Sequence, residues 1–174
     1  MTYAPHMTTL ATPIGAVIIT GDANAVHSVR ISADGDEPAL SIGAAKTPAD
    51  PPANSPTMVA ARQISEYFDG TRRAFDLPLV PLPTERGEYL RAAINSIPYG
   101  STATYGALAS AHESGARAVG GACRRNPYPI IIPCHRVTSS NGAAENYSGG
   151  NGARTKLHLI AHEARYSDLF KPLL

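Results

Sequence analysis

The sequence predicts a small α/β domain followed by a mainly α domain built on a helix-turn-helix. Three observations carry this. Apolar and β-branched residues fall in short runs broken by turn signals before residue 33, apolar residues recur at helical spacing after residue 85, and Pro78, Pro81 and Pro83 separate the two patterns. At 174 residues and 43 % hydrophobic, the chain has enough apolar surface for one core or two small ones.

Residues 7–10, 16–20 and 25–31 read as strands of a small sheet, punctuated by Pro13-Ile14-Gly15 and Gly21-Asp22. The stretch 33–55 is rich in Ala, Pro, Asp and Gly without a sustained period, which predicts a long mobile loop. A helix follows: Ser55 is a natural N-cap with Pro56 in the first turn, Met58, Val59, Arg62 and Ile64 lead into Tyr67 and Phe68, and Gly70 ends the run. Residues 75–80 read as a further strand. The linker falls at 81–84, so the domains are 1–80 and 85–174.

In the second domain Tyr89, Leu90, Ala93, Ile94 and Ile97 line one helical face, which Pro98-Tyr99-Gly100 stops. Tyr105, Leu108, Ala109 and His112 are spaced i, i+3, i+4, i+7. The spacing returns after Ser114-Gly115 in Ala116, Val119, Gly120 and Cys123. Two short helices joined by a tight glycine-containing turn are the signature of a helix-turn-helix, although many helical hairpins touch no nucleic acid. What raises the reading is the second helix, which over residues 116–122 carries almost no bulk apart from Arg117. A smooth helix can approach DNA closely and deliver one cation into a groove or the base stack.

Charge agrees with this placement. The net charge of +1 conceals 5 basic against 9 acidic residues over 1–85, 6 against 2 over 86–137, and 4 against 3 over 138–174. A local excess of arginine can neutralise phosphates in a nearly neutral chain, and a solvated charged surface is the alternative. No basic leader with an apolar stretch opens the sequence, and no apolar run approaches the roughly 18 residues of a membrane span. The expectation is a soluble, cytoplasmic protein.

The strongest chemical signal is Pro129-Ile130-Ile131-Ile132-Pro133-Cys134-His135-Arg136-Val137. Three isoleucines bracketed by prolines predict a stiff, buried, extended segment with the thiol at its end. His135 and Arg136 favour the nucleophilic thiolate if their side chains turn toward it, and a small buried hydrophobe is the alternative reading of Cys134. Cys123 lies on the apolar face of its helix and reads as core. Two cysteines are too few for a zinc cluster, and with the histidines scattered no metal site is expected.

Residues 98–163 carry a further set of motifs: Ile97-Pro98-Tyr99-Gly100, Thr104-Tyr105-Gly106, Arg117-Ala118-Val119-Gly120-Gly121-Ala122, Asn126-Pro127, the run from Pro129 to Val137, Asn146-Tyr147-Ser148-Gly149-Gly150 and Ala161-His162-Glu163. In these the chain closely resembles the O6-alkylguanine-DNA alkyltransferases, or methylated-DNA–protein-cysteine methyltransferases. The first 80 residues match that family only loosely. The resemblance implies a ribonuclease-H-like first domain and a winged-helix-like second one. It implies a single-turnover transferase without a cofactor, which as a monomer takes the alkyl group of O6-alkylguanine, and also of O4-alkylthymine, from double-stranded DNA approached through the minor groove.

The resemblance also assigns roles. Cys134 is the alkyl acceptor, His135 its base through a water, and Glu163 the group that fixes the tautomer of His135; Asn126 hydrogen-bonds the turn that positions the acceptor. Val137, Tyr147 and Ser148 line the base pocket, with the Ser148 amide near the departing oxygen. Tyr105 crowds the phosphate 3′ of the lesion and offers its hydroxyl to the guanine. Arg117 fills the space vacated in the stack, and Gly106 and Ser140 join the DNA contacts; apart from the resemblance, Arg86 is expected to add a phosphate contact. The chain departs from the family in having Glu85 and Arg91 where a phenylalanine and a tryptophan are common, and Glu145 beside the substrate loop, where its charge is expected to slow repair. A lesion-recognition protein that binds without transfer and a cysteine hydrolase remain as alternative classes.

Overall fold

Turn chemistry shapes the first of two units. The computed structural model describes residues 6–35, 51–144 and 147–168. They divide into Met1–Val80 with Gly149–Asn151, and Pro81–Ser148 with Gly152–Leu174. Strand β1 (His6–Thr12) pairs antiparallel with β2 (Gly15–Gly21) across a tight turn in which Gly15 adopts φ +108, a conformation that favours glycine. The Asp22 carboxylate accepts the amides of Asn24 and Ala25 at 2.6 and 2.8 Å and turns the chain into β3 (Val26–Ile31), antiparallel to β2.

Helix α1 (Pro56–Phe68) starts at Ser55, whose hydroxyl accepts from the Met58 amide. It buries Ala60, Ile64 and Tyr67, and packs on β1 and β2. Residues 75–80 do not form the expected strand. Leu79 makes one bridge to Val26, through Val26 N–H to the Pro78 carbonyl (2.8 Å) and Val80 N–H to the Val26 carbonyl (3.1 Å). Pro78 and Pro81 have no amide with which to extend a ladder. Gly149–Asn151 join this unit, with Gly150 N–H donating to the Ile31 carbonyl and Asp34 N–H to Asn151 Oδ1. Most of the expected mobile loop, residues 36–50, lies outside the described residues.

In the second unit, α2 (Glu85–Asn95) is capped by Thr84, whose hydroxyl accepts the Gly87 amide, and buries Leu90, Ala93 and Ile94. A two-residue strand β4 (Ala103–Thr104) runs into α3 (Tyr105–Ala111), and the turn after α3 leads to α4 (Ala116–Arg124). The segment before Cys134 is buried as expected but is not extended. Ile132 N–H reaches back to the Tyr128 carbonyl at 2.8 Å, and Ile130 sits at φ +74. That is a strained conformation for a β-branched residue, held by complete burial. Cys134–Arg136 form a single 3-10 turn, after which β5 (Val137–Thr138) pairs parallel with β4. The last helix is α5 (Ala153–Asp168). Among the described residues no helix is long and apolar enough to cross a membrane.

Candidate active site

The site is built where β4 and β5 meet, because that pairing sets Ala103 beside Val137 and brings Tyr105, at the start of α3, close to the turn that holds Cys134. Asn126 ties the turn together. Its Nδ2 donates to the Ile132 carbonyl at 2.9 Å and to Cys134 Sγ at 3.1 Å, and its Oδ1 accepts from Tyr128 N–H at 3.0 Å. A mere asparagine-proline turn would make only the last of these.

Cys134 is 3 % exposed, and burial raises its thiol above the ordinary range, against the smaller opposing effects of the Asn126 bond and the Lys156 charge. It is therefore a thiol at neutral pH. His135 and Arg136 do not favour the thiolate, because both turn away from it toward α5. His135 Nε2 lies 2.6 Å from Glu163 Oε1. Arg136 grips the same carboxylate with Nε (2.8 Å to Oε2) and Nη2 (3.0 Å to Oε1), and its Nη1 donates to the Ile97 carbonyl at 2.7 Å. Gly100 N–H supplies a further donor to Glu163 Oε2 at 3.0 Å.

These contacts fix the protonation states. Burial alone would raise Glu163, but the hydrogen bonds of His135 and Arg136 and the Arg136 charge outweigh it and hold the carboxyl at about 2. Burial lowers His135 despite the Glu163 bond, so the imidazole is neutral. An ionised Glu163 can only accept, so Nε2 carries the proton and Nδ1 keeps its lone pair. Nδ1 is buried and has no hydrogen-bond partner among the described residues.

A cleft of about 580 Å3 is lined by Tyr105, Arg117, Gly120, Arg124, Tyr147 and Ser148, among others. Burial raises the phenols of both Tyr105 and Tyr147, helped at Tyr105 by Cys123 and then Cys134 and at Tyr147 by Cys134. The Tyr147 hydroxyl is buried without a partner among the described residues. Arg117 is exposed on α4, and Gly106 is exposed on α3 with open space where a Cβ would stand. Val137 is fully buried in β5.

Four expected contact residues do not line the cleft: Gly106, Val137, Ser140 and Arg86. Ser140 is exposed at the tip of the 139–142 turn, with its neighbour Ser139 lining the cleft instead. Arg86 does not line it either and bonds to Ser114 at 2.6 Å. Glu145 and Asn146 lie outside the described residues. Cys123 is buried on α4, and burial pushes its thiol up to about 12. No group of three or more His, Cys, Asp or Glu among the described residues is placed to hold a metal ion.

Two participants escaped the sequence reading. Arg136 was expected to favour the thiolate only if its side chain turned toward Cys134, whereas it serves Glu163. Lys156 is buried beneath the cleft, with Nζ 5.7 Å from the centre of the Tyr105 ring, and burial lowers its pKa. Its signal was the spacing of Lys156, Leu159 and Glu163 on one face of α5, a periodicity that admits two charged residues to the interior.

Comparison with known proteins places this geometry. The family model described as "6-O-methylguanine DNA methyltransferase, DNA binding domain" matches residues 88–165. The methylated-DNA–protein-cysteine methyltransferase of Methanosarcina acetivorans is 44 % identical over 93 residues, 52 % of this chain and 60 % of that protein. The Homo sapiens protein of the same name is 33 % identical over 165 residues, 90 % of this chain and 79 % of that one. Mycobacterium tuberculosis OGT in complex with DNA matches in structure with a TM-score of 0.73 at 30 % identity, over 92 % of this chain and 94 % of that chain. Identity sustained over nine-tenths of its length, around a buried Cys-His-Glu arrangement, shows that the chain belongs to the methylated-DNA–protein-cysteine methyltransferase family.

Proposed function

We propose that this protein repairs alkylated DNA by moving the alkyl group of O6-alkylguanine irreversibly to Cys134. The observation that carries the reading is the state of His135. Its Nε2–H is committed to Glu163, which leaves a buried lone pair at Nδ1 with no hydrogen-bond partner among the described residues, able to take the proton of the buried thiol through a water. Sγ attacks the alkyl carbon in line, the S–C bond forms as the C–O6 bond breaks, and the bond pair leaves with O6. The thiol proton passes through a water to His135 Nδ1. The departing guanine takes a proton from the Tyr105 hydroxyl, which solvent replaces, and the Ser148 amide stabilises the charge developing on oxygen. The thioether is not hydrolysed, so each chain acts once.

A base paired in a duplex has to be flipped out to reach Cys134. Arg117 on the nearly bare α4 is suited to fill the stack, Gly106 lets the backbone come close to DNA, and Val137, Tyr147 and Ser148 bound the base. Three antiparallel strands backed by one helix support a ribonuclease-H-like first unit, and the helix pair beside β4 and β5 supports a winged-helix-like second unit that enters the minor groove. The protein acts as a cytoplasmic monomer, and O4-alkylthymine is a second substrate of the same chemistry.

The test is restoration of a restriction site blocked by O6-methylguanine, titrated with protein. The account expects the number of restored duplexes to level off at the number of chains. Continued restoration would point to a hydrolase, and binding without restoration to a lesion-recognition protein.

A further inference from the structure

The turn between α3 and α4 is closed from the α3 side, where Ser114 N–H donates to the Ala109 carbonyl at 2.8 Å, but it carries a strained residue and lacks a side-chain cap on the α4 side. Glu113 adopts φ +46, a left-handed conformation that a residue with a Cβ occupies under strain. Helix α4 begins at Gly115 with no side-chain cap, so its first amides are not held by the preceding residue. Beneath it, α2 and α4 touch but leave a largely apolar cavity of about 520 Å3 lined by Leu90, Ile94, Ala118, Ala122 and Ile132, among others, so packing leaves part of the α4 face without contact.

A pair of side chains from the first turns of α2 reaches the α3–α4 turn itself. Arg86 Nη2 donates to Ser114 Oγ at 2.6 Å, and the Tyr89 hydroxyl donates to the His112 carbonyl at 3.2 Å. The Arg86 guanidinium stands 5.2 Å from the centre of the Tyr89 ring, which meets His112 edge-on at 5.9 Å. Both residues on either side of Glu113 are thus gripped from α2.

We propose that Arg86 and Tyr89 are positioning residues, which clamp the strained turn and thereby fix the start of α4, and Arg117 with it, in the pose that meets DNA. The inference rests on the reading of Arg117 given above. It replaces a phosphate contact for Arg86 with a mechanical one, and the two make opposite predictions. A clamp works through Ser114, so removing either partner loses the same interaction. A phosphate contact works without Ser114 and releases counterions.

The experiment measures second-order transfer rates from duplex O6-methylguanine and from free O6-benzylguanine base, for Ser114→Ala, Arg86→Gln, the double variant and Ser114→Thr. Ser114→Ala and Arg86→Gln should each slow duplex transfer about 3- to 10-fold, with the double variant no slower than either. Ser114→Ala should leave the free-base rate within about two-fold of the parent, and Ser114→Thr, which keeps the hydroxyl, should restore the duplex rate. The slope of log affinity for duplex against log salt should not change in Arg86→Gln.

A slope flattened by about one unit in Arg86→Gln, with Ser114→Ala silent, would make Arg86 a phosphate contact and overturn the clamp. Equal loss on both substrates in Ser114→Ala would overturn it as well, because the turn would then support the fold and not the DNA pose. Failure of the parent protein to act on the duplex would refute the repair reading instead.

Discussion

The second unit holds two charged regions made in opposite ways. In the interior, Glu163 accepts from His135, Arg136 and Gly100, and the Glu163 and Arg136 charges are buried and paired with each other. On the face of α3 and α4, Arg117 is exposed without an ion-pair partner among the described residues, and Gly106, Gly115 and Gly120 leave the helix surface bare. The interior is fixed before any other molecule arrives, with one tautomer of His135 and one position of the thiol. The surface is incomplete because its partner is another molecule. A buried pair resists change and an exposed cation does not, so substitutions in the two regions should fail in different assays.

The largest effect is expected from Glu163→Gln. Removing the carboxylate charge leaves Arg136 buried and unpaired, which should cost about 3–5 kcal/mol in denaturant unfolding. It should also depress transfer from duplex and free base alike. The same group sets an acid limit. Folding holds its carboxyl at about 2 against an ordinary 4.5, so its contribution is complete above pH 4.5 and is lost as pH falls toward 2. The parent should lose stability through that window more steeply than Glu163→Gln. Parallel pH curves would mean that Glu163 is not the ion that holds the site.

Asn126→Ala comes next. It removes the donor to Cys134 Sγ and to the Ile132 carbonyl, and leaves a buried carbonyl unsatisfied, at a cost of about 1–3 kcal/mol. Transfer to either substrate should slow, since the thiol loses a group that favours its anion. Unchanged rates with lowered stability would confine Asn126 to the turn.

Arg117→Ala breaks the surface side of the comparison. Duplex transfer should fall about 10-fold or more, equivalent to about 1.4 kcal/mol, while the free base reacts at a rate near the parent's and the unfolding midpoint does not move. Equal losses on both substrates would assign Arg117 to the pocket. Gly106→Ala should be the mildest in stability, within about 0.5 kcal/mol, because its Cβ would meet open space. It should still weaken duplex binding if backbone at that position approaches DNA; unaltered affinity would remove Gly106 from the interface.

Much of this was legible in the sequence where local rules decide. The Ser55 cap, the break at Pro98 and the helix pair followed from spacing and capping residues, and the linked motifs around Cys134 pointed to the family. The strand expected at 75–80 failed because alternation of apolar residues cannot show that Pro78 and Pro81 deny the ladder its donors. The segment before Cys134 was read as extended from its isoleucines, yet the side chain of Asn126 folds it into a turn that backbone propensity does not encode. The pairing of Arg136 with Glu163 spans 27 residues, and adjacency to Cys134 could not tell which way its side chain turns. Long-range electrostatics decided those positions.

The central claim is that one buried thiol receives one alkyl group and keeps it. Intact-protein mass spectrometry after incubation with excess duplex carrying O6-methylguanine tests it, with peptide mapping of the product. The account predicts a gain of a single methyl group per chain, located on the peptide containing Cys134, and no gain in Cys134→Ser although that variant still binds the duplex. A methyl group on Cys123 instead, or repair of more than one equivalent of duplex by an unmodified chain, would contradict it.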